Sequence, residues 1–383
     1  MRTVWGLGFF ALCAIGFAES RNGVDQGSKP PAPLPAARDG GTGRGSESKA
    51  QREQESLERA GAMVTKSLDY LARVQAGSLD GSFPSGGAEH NVPVPVAALA
   101  ALAYMAAGST PERGPHGVQL ARAIDYLVSR CDLAPLSATR GYVSSPGDKH
   151  SRMHGHGFAT LALAQAYSMS PSTPRGARVR AALEAAVHCI ETSQGPEGGW
   201  YYDPHPTFEH ENSVTVCLVQ ALRGAHGAGI RVDPAVISRA VDYIRRCQTE
   251  DGAFKYALNR DATSAALTAA GIATLNSIGV YEDAVIARAL ESLTRELAGR
   301  EHETAIGGVR HVFYERFYIA QALWQAPDRR LWESWRPKMV AQLESEQLAE
   351  GSWHDAEYGD AYATAMHSLV LSIPLGLLPI FQR

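Results

Sequence analysis

The residues able to do chemistry stand just ahead of the most apolar segments of the chain. "MHGHGF" carries His154 and His156, each followed by a glycine that lets the backbone approach closely and present two imidazoles on one rim. "EHENS" carries His210 and Glu211, "ALNRDATSAAL" carries Asp261, "YERFY" carries Glu315, and "DAYATAMHS" carries Asp360 and Tyr362. Two chemistries need such groups. An H-x-H pair is half of a metal site and needs a third ligand, here His210 or Glu211. No other fixed spacing supports one, so hydrogen-bonded polar histidines are expected, with no metal and no cofactor. Two carboxylates about 5 to 10 Å apart would serve glycoside hydrolysis. Glu211 with Asp360, or with Asp261, is the pair to inspect. Capping alone accounts for Asn212, Asp261 and Asp360, because helix N-termini favour these side chains.

The segments behind these residues are rich in small apolar side chains: "VAALAALAYMAAG", "FATLALAQAY", "VTVCLVQAL", "SAALTAAGIATL", "YIAQALWQA" and "ATAMHSLVLSI". A helix that is apolar all round has no solvent face and must be internal. Each is preceded by an amphipathic segment such as "SLDYLARVQ", "AIDYLVSRC" or "AVDYIRRCQ", charged on one side only. The pairs recur about every 50 to 60 residues, the signature of a repeat architecture. Six such pairs can form an inner ring of helices inside an outer ring, and an all-α fold is expected. No alternating run of strand type stands between them.

A phrase links outer to inner segments: Gln194, Gly198 and Trp200; Gln248, Gly252 and Phe254; Gln347, Gly351 and Trp353. Gln75, Gly81 and Phe83 form a lengthened copy. A glutamine amide can donate to the unpaired carbonyls of a helix end, and glycine permits a positive-φ turn. The aromatic ring covers both, so the phrase reads as a structural staple.

Residues 1–18 hold one arginine and an apolar run closing on "GFA", and read as a signal peptide. The mature chain is thus expected to be exported, periplasmic or extracellular, with no transmembrane span. Residues 19–53 are rich in Gly, Pro, Ser and charge and read as a disordered linker, leaving 54–383 as the folded domain. Cys131, Cys189, Cys217 and Cys247 contain no CxxC pair and read as buried small residues. The net charge of −4, without a basic stripe, makes nucleic acid an unexpected partner.

The glutamine–aromatic phrases resemble the QW motifs of the terpenoid cyclase and protein prenyltransferase superfamily, an α/α toroid. The likeness spans residues 63–383. More narrowly, "HGHGFATLALAQAY", "SVTVCLVQALRGAHGAGI" and "YATAMHSLVLSIPLGLLPIFQR" are similar to secreted bacterial prenyltransferase and squalene-oxidase repeat proteins. The resemblance implies that the junctions before the inner helices meet at one end. His154, His156, His210, Glu211, Asp261, Glu315, Asp360 and Tyr362 then become candidates for a cavity mouth. It does not carry over the superfamily's chemistry. Asn259-Arg260-Asp261-Ala262 stands where cyclases have Asp-x-Asp-Asp, and Arg260 would keep Asp261 ionised. Asp261 is expected to cap its helix. The prenyltransferase zinc site is missing its cysteine after Asp261, and the Cys-Gly-Glu-Gln thioester string is absent. The expected function is binding of a hydrophobic, isoprenoid or lipid-like ligand in a central cavity. The alternatives are a structural scaffold and a carbohydrate-active enzyme. A narrow apolar cavity would mark the first, a filled centre the scaffold, and an open aromatic groove the sugar enzyme.

Overall fold

The computed structural model describes residues 43–382 except 88–89, 147, 149–151, 282 and 301–310, with side chains from residue 51 onward. The expected signal peptide and most of the linker lie outside these residues. The chain divides into a leading unit, Met1–Ser48, and a large unit, Lys49–Arg383. The large unit holds the helical repeats and the candidate site.

The helices alternate between two kinds. The first kind comprises α1 Gly43–Ala76, α3 Gly117–Ser129, α5 Pro174–Thr192, α7 Pro234–Arg246, α9 Ala284–Arg300 and α11 Arg329–Glu346. The second comprises α2 Pro93–Ala106, α4 Arg152–Met169, α6 Asn212–Gly227, α8 Ala265–Ser277, α10 Val312–Gln325 and α12 Asp360–Ser372. In α7 only Val236, Ala240, Tyr243 and Ile244 are buried, so the helix turns one stripe inward. In α2 every residue from 96 to 106 is buried, as a helix without a polar face requires. Each helix of the second kind packs on the next, and α12 packs on α2, so the inner ring closes. The outer helices lie against it, α1 joining α12 through a 2.7 Å bond between the Ser67 and Ser368 hydroxyls.

The four staple turns share one geometry. Gln75, Gln194, Gln248 and Gln347 each donate from Nε2 to the carbonyl of the turn glycine, at 2.8–3.1 Å. Each donates again to a carbonyl of the next outer helix: Gln119, Val236, Val285 and Met63, at 2.9–3.0 Å. The last of these joins the end of the chain to its beginning and closes the outer ring. Three residues on from each acceptor, the carbonyl of Arg122, Arg239, Arg288 or Lys66 presses against the turn glycine. All four glycines have φ between +89° and +100°. The glutamines therefore bridge neighbouring outer helices as well as closing their own turns. Trp200 and Trp353 are buried and donate from Nε1 to Ile190 and Leu343 carbonyls, at 2.8 and 2.9 Å. Cys131, Cys189, Cys217 and Cys247 are buried and unpaired.

Two expectations need correction. A short antiparallel hairpin, β1 Lys255–Ala257 and β2 Arg260–Thr263, stands ahead of α8. It takes up the residues read as a helix start, so Ser264 caps α8 by accepting from Leu267 N at 3.2 Å. Asp261 lies exposed on β2, paired with Lys255 at 3.2 Å. Second, α1 begins at Gly43 and takes in residues assigned to the linker. Glutamine–glutamate bonds four residues apart, Gln51–Glu55 and Gln54–Glu58, support that part of the helix. Among the described residues no helix is long and apolar enough to cross a membrane.

Candidate functional site

The N-terminal ends of α4, α6, α10 and α12 meet at one mouth. Glu211 caps α6: its Oε1 accepts from Val214 N at 2.9 Å and from the Ser213 hydroxyl at 2.6 Å. It is fully buried. His154, in the first turn of α4, places Nε2 at 3.0 Å from Ser213 Oγ and 3.8 Å from Glu211 Oε1. The hairpin reaches over this pair. Asn212 Nδ2 donates to the Lys255 carbonyl at 3.3 Å, and the Tyr256 and Tyr202 hydroxyls meet at 2.5 Å. Glu211 Oε2 has no hydrogen-bond partner of good geometry, although the Tyr256 hydroxyl is near enough to favour the anion.

Burial raises the Glu211 carboxyl above its ordinary range; Ser213, Tyr256, the Val214 N–H and Arg260 oppose this. The phenols around it, Tyr202, Tyr256 and Tyr314, are also raised by burial and by the nearby Glu211 charge. The group holds its protons well, as expected for hydroxyl and carboxyl groups removed from water.

Aromatic rings continue around the mouth. Tyr201 lies 4.3 Å from Tyr202, and His154 lies 6.5 Å from Tyr202 and 6.3 Å from Tyr314. On the far side Phe313, Tyr362, Tyr358 and His90 follow at 5.6, 5.2 and 5.8 Å. The loop before α6 holds Phe208 almost fully exposed.

The candidates read from sequence separate. His154, Glu211 and Tyr362 lie at the mouth. His156 does not share a rim with His154. Residues two apart on a helix turn about 200° from each other, and α4 already includes both. His156 is buried, accepts from Val143 N at 3.1 Å, and burial holds it neutral with its pKa pushed down to about 4. The neighbouring glycines serve packing: a side chain on Gly155 would meet Pro95, and one on Gly157 would meet Cys217 and Leu218. His210 turns to the outer ring and bonds Tyr243 at 3.0 Å. Glu315 also faces outward, to Arg300 at 2.6 Å. Asp360 is engaged by His354 and the Asp355 N–H, at 2.9 and 3.1 Å. Sequence reading missed Ser213, Tyr202 and Tyr256 and left Tyr314 without a role. The lone signal for Ser213 is its position two residues after Glu211.

Below the mouth the ring is filled. α6 and α10 face each other across the ring in one register, 101 residues apart at three successive levels. Tyr314 donates to the Ser213 carbonyl at 3.4 Å, Tyr318 and Cys217 meet at 3.2 Å, and Gln220 donates to Gln321 at 3.1 Å. Phe158 of α4 reaches Phe317 of α10 at 6.4 Å. At the far end Gln325 donates to the Ile380 carbonyl at 3.0 Å, where the 3-10 turn Pro379–Phe381 packs on α6 and α10. The expected central cavity is occupied at these levels by the chain's own side chains.

No family model matches the chain, and no curated protein matches its sequence. Solved structures do match. One is the type II terpene cyclase MstE from Scytonema, at 16% identity over 84% of this chain and 100% of that one, TM-score 0.56. The fold is an α/α toroid. The α-1,6-mannanase GH76A of Salegentibacter sp. HEL1_6, in an inactive variant, matches at 8% identity over 84% of this chain and 100% of that one, TM-score 0.55. A D-mannose isomerase matches at 13% identity over 82% and 96%, TM-score 0.57. The toroid thus resembles both terpene cyclase and carbohydrate-active enzymes, and a shared fold does not choose between them.

Proposed function

We propose that this toroid is an exported protein that binds a lipid-like, isoprenoid-type ligand with a polar head, and that it does so at the mouth. The observation that carries this is the belt of partly exposed rings, Tyr201, Tyr202, Tyr314, Phe313, Tyr362 and Tyr358, around His154 and Glu211. Aromatic rings offer an apolar tail a large contact area at small entropic loss, while hydroxyls and imidazole answer a polar head. Phe208, in the loop before α6, adds an exposed apolar side chain. Two structures of the cyclase MstE hold geranylgeranyl dihydroxybenzoate, a prenyl tail on a polar head, which supports this ligand class. Cyclisation is not proposed, because Asp261 is exposed on the hairpin and paired to Lys255.

The filled interior favours a second reading, a scaffold that binds other proteins and no small molecule. Solvent extraction of the purified protein followed by mass spectrometry separates the two. Geranylgeraniol added to the delipidated protein should then raise its melting temperature, and less so for Tyr314→Ala. No extracted amphiphile and no shift would leave the scaffold reading. A shift with manno-oligosaccharides alone would move the reading to sugar.

A further inference from the structure

We infer that Ser213 is a proton relay joining His154, at the mouth, to the buried carboxyl of Glu211, so that the mouth is an acid–base site and not only a binding surface. The inference rests on the reading of the mouth as the ligand site and adds a chemistry to it. Ser213 Oγ stands 3.0 Å from His154 Nε2 and 2.6 Å from Glu211 Oε1. A hydroxyl has one proton to donate and lone pairs to accept with, so a serine between two titratable groups can conduct a proton either way. Capping of α6 needs only Glu211 Oε1 and the Val214 N–H. The Ser213 hydroxyl donates to Glu211 Oε1 and keeps its lone pairs for the imidazole N–H. Glu211 Oε2 is buried without a hydrogen bond of good geometry, with the Tyr256 hydroxyl beside it, so the cap leaves the second carboxyl oxygen unused.

The imidazole of His154 gains a proton from the ligand's polar head and gives its Nε2 proton to Ser213 Oγ. The Ser213 hydroxyl proton passes to Glu211 Oε1. The ligand is left as the anion, the imidazole is neutral again, and the carboxylate has become a carboxylic acid. The reverse sequence protonates a ligand. A hydroxyl or carbonyl-bearing head is the class that such a relay can act on. The other groups facing Glu211 are Tyr202 from the preceding loop, Tyr256 and Arg260 from the hairpin, Tyr314 from α10, Cys217 from its own helix and Tyr243 from α7. The four phenols and the Cys217 thiol among them are held protonated by burial, and Arg260 is the cation. Ser213 acts through His154 and is a positioning residue.

The test needs no ligand. His154 is followed by 15N shifts in histidine-labelled protein, and Glu211 by its carboxylic C=O stretch, assigned with Glu211→Gln, from pH 4 to 9. The relay makes the two titrate as a coupled pair, each showing two inflections at shared pH values. His154 and Glu211 stand 3.8 Å apart and are coupled by charge in part, so Ser213→Ala should narrow the separation of the two inflections, and Ser213→Thr, which keeps the hydroxyl, should restore it. Independent single inflections in the wild type, or coupling undiminished in a folded Ser213→Ala, would overturn the inference. Either result stands apart from lipid binding, which is measured separately.

Discussion

Replacing Trp200 tests how the staples hold the two rings together. Its side chain is 1% exposed, its Nε1 donates to the Ile190 carbonyl at 2.8 Å, and its N–H donates to Thr215 Oγ1 at 3.2 Å. Trp200→Ala removes the ring from a packed site and should cost about 3 to 5 kcal/mol. Trp200→Phe should cost far less. Phe254 occupies the matching place in the next turn, with its N–H on Thr268 Oγ1 at 3.2 Å. The phenylalanine variant loses one bond, and the Ile190 carbonyl keeps a second donor in Ser193 Oγ at 3.1 Å. That loss is about 1 kcal/mol. Urea denaturation followed by circular dichroism measures both, from midpoints at unchanged slope. Equal losses in the two variants would refute the reasoning, as would no loss in Trp200→Ala.

Ser264→Ala should lower stability by about 0.5 to 2 kcal/mol by removing the cap of α8, while Asp261→Asn leaves the melting temperature unchanged. The reverse order would restore Asp261 as the cap. Gly252→Ala should destabilise, because its φ is +92° and the new carbon would strike the Arg288 carbonyl, whereas Gly229→Ala, also at positive φ but in open space, should cost less in the same thermal scan. Acid should destabilise the fold through His156. Its folded pKa of about 4 lies below the ordinary 6.5, so its contribution is complete above pH 6.5 and is lost as pH falls toward 4. The loss amounts to about 3 kcal/mol. Asp148, raised by burial to about 6, works the other way, its contribution fading as pH rises from 3.8 through 6. Comparing wild type with His156→Gln at pH 7 and pH 4 isolates the histidine, and an identical acid loss in both would contradict this assignment.

The two helix classes are legible in the sequence because they rest on composition. A segment such as residues 96–106 has no polar face to show water, whatever its neighbours are. The staples are legible in part: the glutamine, glycine and aromatic are local, but the second acceptor lies on the next outer helix, some 40 residues away or, for Gln347, at the other end of the chain. The hairpin is not legible. "KYALNRDAT" lacks alternation, and the Asn212 side chain that bonds the Lys255 carbonyl lies more than 40 residues away. His154 and His156 look like one rim in the sequence because two glycines disguise a helix start. Their spacing places them on opposite sides once α4 begins at Arg152. Glu211 is legible as a candidate, but its partners Ser213, Tyr202 and Tyr256 come together through the hairpin and the ends of α4 and α6, contacts that no local pattern encodes.

Tyrosine-ring NMR during titration with geranylgeraniol tests ligand binding at the mouth most directly. Tyr202, Tyr256, Tyr314 and Tyr362 should shift together and saturably. Tyr104, buried within α2, and Tyr126, buried on α3, should not move. No perturbation of the mouth tyrosines, or shifts confined to Tyr104 and Tyr126, would contradict the account.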